Sequence, residues 1–146
     1  MLIDKTKLPL VAEEFMNETH FEDVDIINDL YSLITTYEND ASEENKNSLI
    51  EKYNFWTTHT INHFQTEEKK MNELRFPPYP IHKAEHDRCL ETMSMVLENF
   101  KSSSDISKLK SYFENDLLIW LDNHIKTMDT VTAMFFKTGL SPCQSH

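Results

Sequence analysis

Glycine is almost absent from this chain: one residue, Gly139, among 146. Hairpins and tight turns lean on glycine for positive φ. A sheet-rich fold is therefore disfavoured, and helices joined by short loops are favoured. Cysteine is nearly as scarce. Cys89 and Cys143 stand far apart in no C-x-x-C pair and offer no disulfide framework, which fits a reducing compartment, the cytoplasm. No run of about 18 apolar residues occurs, so no membrane-spanning segment is expected. The N-terminal MLIDKTKLPLVAEEF carries two lysines but no continuous apolar stretch, so a signal peptide is not expected. Positive charge is also in short supply. Fourteen Lys and Arg face 25 Asp and Glu, for a formal charge of −11. Such an acidic chain is a poor partner for nucleic acid or anionic lipid.

What is present reads as one all-α domain over residues 1–146, long enough to bury a real core. Residues 1–17 form an N-terminal arm with Pro9 and weak periodicity. Val24, Ile27, Leu30, Tyr31 and Ile34 recur at three and four, giving a helix over about 20–37. Asp40 or Ser42 can cap a second helix over about 42–73. The RFPPYP stretch ends it, because proline cannot continue a helix ladder. A third helix covers about 81–100. KSSSDIS breaks it, with Ser104 or Asp105 as the next cap, and a fourth runs from about 106 to near 128. VTAMFF makes a short C-terminal helical segment, and 138–146 is a tail. Four helices with short connections over 18–137 imply an up-down-up-down four-helix bundle.

The seven histidines exceed what core packing requires: His20, His59, His63, His82, His86, His124 and His146. Every long helix carries at least one. Four residues of α-helix turn through about 400°, so i and i+4 share a face. His63 and Glu67 are such a pair, and so are His82 and His86. A lone core histidine is usually just hydrogen-bonded. Six on four helices favour a metal site, and imidazole with carboxylate suits iron, zinc, copper or nickel. HKAEH at 82–86 also matches the H-x-x-E-H zinc-protease signature, but that reading leaves the other histidines unused. The Glu-x-x-His pairs of ferritin-like di-iron proteins are missing, since no histidine has a glutamate three positions before it.

His20, HFQTE at 63–67, HKAEH at 82–86 and HIKTMD at 124–129, in that order, resemble the hemerythrins, and among them the single-domain bacterial ones. The resemblance extends over about 10–137 and includes HFQTEEKKM, the YP before the third helix, and WLDNHI. It implies two non-haem iron ions inside the bundle with an oxo or hydroxo bridge. One iron would take His82, His86 and His124, and the other His20 and His63. Glu67 and Asp129 would bridge them. The iron with two histidines would keep an open position for dioxygen. The implied function is reversible dioxygen binding for carriage, storage, delivery or sensing rather than catalysis. The alternative is a di-iron enzyme acting on peroxide, nitric oxide or dioxygen.

Some residues need separate treatment. An open iron position calls for a dry apolar pocket, with Phe55, Trp56, Phe64, Phe113, Trp120, Leu121 and Ile125 as candidate walls. Leu121, Trp120, Phe64 and Ile125 are the chief ones, and Leu121 is expected to shield bound oxygen from water. His59 departs from the family motif. It stands one turn before His63, either as an ordinary hydrogen-bonded histidine or as a group that tunes the site. Cys143 and His146 in the tail are candidates for adventitious metal. His124 and Asp129 are five residues apart, about 500° in a regular helix and thus about 140° off a common face. If both serve one metal pair, a π-type turn or loosened helix end is required between Ile125 and Asp129.

Overall fold

The computed structural model describes residues 1–139. Among them there are helices and no strands. A single 3-10 turn, Lys5–Lys7, precedes four long helices. Helix α1 is Glu14–Asn39, α2 is Glu43–Glu73 and α3 is Tyr79–Ser103. Helix α4 covers 107–138 as one right-handed helical path through five successive segments. Two of these are π turns, Tyr112–Asp116 and Ile125–Asp129, and the backbone stays in the helical region on either side of both.

The helix ends follow from local chemistry. Ser42 caps α2 by accepting the Asn45 N–H at 3.2 Å. Pro80 falls in the first turn of α3, where its missing N–H costs nothing, and Pro78 is the residue before the helix. Asp105 accepts the Ser107 N–H at 2.9 Å and so starts α4. Gly139, at φ 73°, ends α4 in the left-handed conformation that glycine adopts without strain.

Two ends lie elsewhere than the periodicity predicts. Helix α1 begins at Glu14, not near residue 20, so the arm ends before residue 17. Asn17 is already helical, and its side chain clamps the preceding segment by bonding both the N–H and the C=O of Val11 at 2.8 and 2.9 Å. The fourth helix does not stop near 128. VTAMFF continues it, because the π turn absorbs the change of phase without breaking the helix.

Packing runs along the length of the helices. Helix α1 lies against α2, α2 against α3, and α3 against the start of α4. At one end, Lys110 of α4 meets Glu38 of α1 at 2.9 Å, and Tyr37 donates to the Ser104 carbonyl at 2.8 Å. At the other end, Phe15 of α1 stacks near Phe136 of α4, with Lys70 of α2 over both rings. The core fills the space between. Met16, Leu30, Ile34, Leu49, Tyr53, Met93 and Phe113 are fully buried in it. Within this apolar interior lies a block of buried polar groups: His20, Asp23, Glu67, His82, His86, His124, Asp129 and Thr132.

Candidate metal centre

Those polar groups converge because each helix contributes to one level. His20 and Asp23 come from α1, His63 and Glu67 from α2, His82 and His86 from α3, and His124 and Asp129 from α4. The expected π turn is present over Ile125–Asp129. It brings Asp129 onto the His124 face: Asp129 Oδ1 lies 3.1 Å from His124 Nε2. All seven residues singled out from the sequence meet here. Glu67, His82, His86, His124 and Asp129 each offer a ligand atom within 4.8 Å of the others, and so do His20, His63 and Glu67. Glu67 belongs to both groups.

The three-histidine group has a specific geometry. His124 Nε2 lies 3.3 Å from His82 Nε2 and 3.2 Å from His86 Nε2. Two nitrogens each ~2.1 Å from one ion, at 90–110° about it, would be ~3.0–3.4 Å apart. The far nitrogens are all engaged. His124 Nδ1 lies 2.6 Å from a Glu85 carboxylate oxygen, His86 Nδ1 2.8 Å from Glu68, and His82 Nδ1 2.8 Å from the Thr132 hydroxyl. A carboxylate accepts only, so Nδ1 carries the proton in His86 and His124, and in the neutral ring Nε2 presents a lone pair. Lone pairs converging on one point repel unless a cation sits among them. Backing of this kind is what metal-bound imidazoles characteristically have.

The carboxylates make the same demand. Glu67 Oε1 and Asp129 Oδ1 are buried without a well-aligned donor, as is His20 Nδ1. The neighbours of Glu67 Oε1 are His82 Nε2 at 3.6 Å and His86 Nε2 at 3.5 Å. In the smaller group, His20 Nε2 lies 2.9 Å from Asp129 Oδ2, and His63 Nε2 lies 2.6 Å from Glu67 Oε2. Buried, unpaired oxygens cost several kcal/mol in an apolar interior. One or more cations among these atoms would satisfy them, so the residues present fit a metal pair.

Without a cation, protons take over that role. Burial disfavours charge on His124, yet the Asp129 charge and the bonds to Asp129 and Glu85 raise its pKa to about 9. Burial likewise opposes the His63 cation, and Glu67 and Asp23 more than offset it, holding His63 well above the usual value. Burial and the Asp129 charge push Glu67 up, but His63 and the other imidazoles bring it down to about 2. Asp129 is held well below the ordinary range: burial raises it, and His124 outweighs that.

Beside the smaller group is an apolar chamber of about 30 Å³, with Trp56, Phe64, Leu117, Trp120 and Leu121 among its walls. Phe64 stacks on His86 at 3.7 Å and Trp120 on His124 at 4.5 Å, which fixes both rings. Leu121 also lines a separate cavity of about 220 Å³ under the N-terminal arm, walled by Leu2, Ile3, Leu8 and Pro9. Leu121 therefore stands between the two. Three expected walls are elsewhere. Phe55 is 54% exposed, with the Lys52 ammonium over its ring, because its side of α2 faces solvent. Phe113 is buried against Tyr53 and Trp56, and Ile125 is buried in the core outside the chamber lining. Cys143 and His146 lie outside the described residues.

His59 does not join the metal-facing atoms. Its Nδ1 lies 2.8 Å from Asp23 Oδ1, and its Nε2 lies 3.2 Å from Glu22 on the surface. The other Asp23 oxygen lies 3.0 Å from His63 Nδ1. Sequence reasoning missed Asp23, Glu68, Glu85 and Thr132. Asp23 carried a readable signal: it is an acid on the apolar face of α1, beside Val24 and one turn after His20. Glu85 also answers the zinc-protease alternative, since its carboxylate stands behind His124 rather than over an open metal position.

The comparisons with known proteins agree with this geometry. A family model described as the hemerythrin HHE cation binding domain matches residues 12–135. A bacteriohemerythrin of Aquifex aeolicus is 28% identical over 133 residues, covering 91% of this chain and 96% of that protein. A bacteriohemerythrin of Methylococcus capsulatus is 24% identical over 119 residues, covering 81% and 88%. No solved structure matches. With the family model spanning most of its length and the buried histidine–carboxylate cluster at its centre, the chain belongs to the hemerythrin family.

Proposed function

We propose that this protein binds dioxygen reversibly at two non-haem iron ions held in the buried cluster and joined by an oxo or hydroxo bridge. His82, His86 and His124 would hold one iron, His20 and His63 the other, and Glu67 and Asp129 would bridge them. One observation carries this reading. Three backed imidazoles aim their Nε2 atoms at one point, beside two buried carboxylate oxygens without a well-aligned donor. When bound, a pair of ferrous ions supplies the two electrons that reversible dioxygen capture draws on.

The chain's own residues do the rest. Glu68 and Glu85 hold His86 and His124 in the tautomer that faces the metal, and Thr132 orients the His82 ring. Phe64 and Trp120 fix the rings by stacking. The chamber beside His20 and His63 has room for about one small molecule, and its apolar walls exclude water and free protons. The helices would run alternately up and down, as the contacts at both ends and the short connections support. A protein of this kind would act in the reducing cytoplasm as an oxygen carrier, store, delivery protein or sensor.

The test is anaerobic loading with ferrous iron, metal analysis, and stopped-flow mixing with dioxygen. Two irons per chain and a stable oxygenated form that reverses under vacuum support the reading. One zinc per chain without iron would sink it. Rapid oxidation with continuing turnover would assign the site to an enzyme instead.

A further inference from the structure

The two halves of the site are backed differently. In the three-histidine half, each backing group serves one imidazole of the cluster: Glu68 serves His86, Glu85 serves His124 and Thr132 serves His82. In the two-histidine half, His20 Nδ1 has no partner, and His63 depends on Asp23. Asp23 is shared. One oxygen takes His63 Nδ1 at 3.0 Å and the other takes His59 Nδ1 at 2.8 Å.

We propose that His59 is a positioning residue for the two-histidine half, acting through Asp23 to hold His63. This rests on the di-iron reading above. The argument is geometric. Asp23 is on α1 and both histidines are on α2, one turn apart, so the shared carboxylate ties two helices at the level of the site. A carboxylate pinned at both oxygens cannot swing. Its Oδ2 then accepts the His63 Nδ1–H, and the ring is held with Nε2 aimed at the metal position, 2.6 Å from Glu67 Oε2. His59 is itself anchored from outside by Glu22. A surface hollow of about 180 Å³, lined by Glu22, His59 and His63 among others, lies directly beyond. Without His59, Asp23 Oδ1 is a buried acceptor with no donor, and the nearest substitute is water from that hollow. Water there competes for Asp23 and frees the His63 ring to turn.

The experiment is an anaerobic ferrous-iron titration of wild type, His59→Ala, His59→Asn and His59→Gln. It is paired with proton NMR of the His63 Nδ1–H in the iron-free protein. Asparagine carries its amide N–H where Nδ1 stands and reaches Asp23. Glutamine carries it where Nε2 stands and reaches Glu22. Wild type and His59→Asn are expected to take two ferrous ions and to keep a slowly exchanging His63 N–H. His59→Ala and His59→Gln are expected to bind one ion as before, to bind the other ~10-fold or more weakly, and to lose that resonance to exchange. Equal affinities and an unchanged resonance in all four chains would overturn the inference alone. So would equal losses in all three variants, since that pattern would make the imidazole's bulk decisive rather than its bond to Asp23. A wild-type chain taking fewer than two ferrous ions would overturn the di-iron reading and this inference with it.

Discussion

Leu121→Ala tests the idea that one side chain keeps the chamber dry. Leu121 is 9% exposed and separates a chamber of about 30 Å³ from an outer cavity of about 220 Å³. The smaller volume has room for roughly one water. The substitution removes three carbon atoms and joins the two spaces. At ~0.8 kcal/mol for each buried methyl or methylene, the lost transfer energy is ~2.4 kcal/mol. Leucine-to-alanine changes in sealed cores cost ~2–5 kcal/mol, with the upper values coming from empty cavities that cannot refill. Here the outer cavity lets water in, so the expected loss is ~2–3 kcal/mol, read by urea denaturation of the iron-free protein. That same water should reach the metal pair. The oxygenated form should then decay several-fold faster than wild type, while iron stays at two per chain. Equal decay rates with intact iron would refute the barrier and leave Leu121 as core packing. A loss near ~5 kcal/mol would refute the joined-cavity geometry, because only a dry, sealed void costs that much.

Three further outcomes follow from the same geometry. His82→Ala removes one of three converging Nε2 atoms and strands the Thr132 hydroxyl, so metal analysis should find iron lost from the three-histidine position; full retention would contradict the assignment. Deleting Lys126, an exposed residue of the second π turn, leaves four residues from His124 to Asp129, about 400° in a regular helix, so Asp129 should stay on the metal face and iron should still bind. Inserting an alanine there instead gives about 600°, and iron loading should fail. Metal loading should also depend on pH in one direction. His124, raised to about 9, and His63, held well above its usual value, carry protons near neutrality in the metal-free protein. Iron must displace them, so apparent affinity should rise with pH up to about 9 and protons should be released on loading at pH 7. An indicator dye in weak buffer reads this, and loading with no proton release would contradict it.

The converging histidines and carboxylates could be read in the sequence because helix geometry converts spacing into direction. His63–Glu67 and His82–His86 are i,i+4 pairs, and the odd interval from His124 to Asp129 forecast the π turn found at Ile125–Asp129. The groups behind them carried no such mark. Glu68 and Glu85 sit in runs that look like a solvated face, and both are partly exposed, so only the fold reveals that each backs an imidazole. The other π turn, Tyr112–Asp116, was invisible for a related reason: no pair of motif residues spans it, so no interval betrayed the change of phase. The start of α1 was missed because its first turn is defined by the Asn17–Val11 clamp rather than by apolar rhythm.

Once assembled, the backing groups do more than orient the imidazole each one holds. Every one of them comes from a different helix than the imidazole it holds. Asp23 on α1 holds His63 on α2. Glu68 on α2 holds His86 on α3. Glu85 on α3 holds His124 on α4, and Thr132 on α4 holds His82 on α3. The backing groups thus form a set of hydrogen bonds between successive helices. The three bonds to carboxylates are charge-assisted and contribute roughly 1.5–3 kcal/mol each when well made. They stand against the unpaired oxygens of Glu67 and Asp129 at the centre. The contacts that aim the imidazoles therefore also tie neighbouring helices together at the level of the site. Ligand atoms held by such bonds lose little freedom when a metal binds, so the backing groups favour binding by pre-organisation.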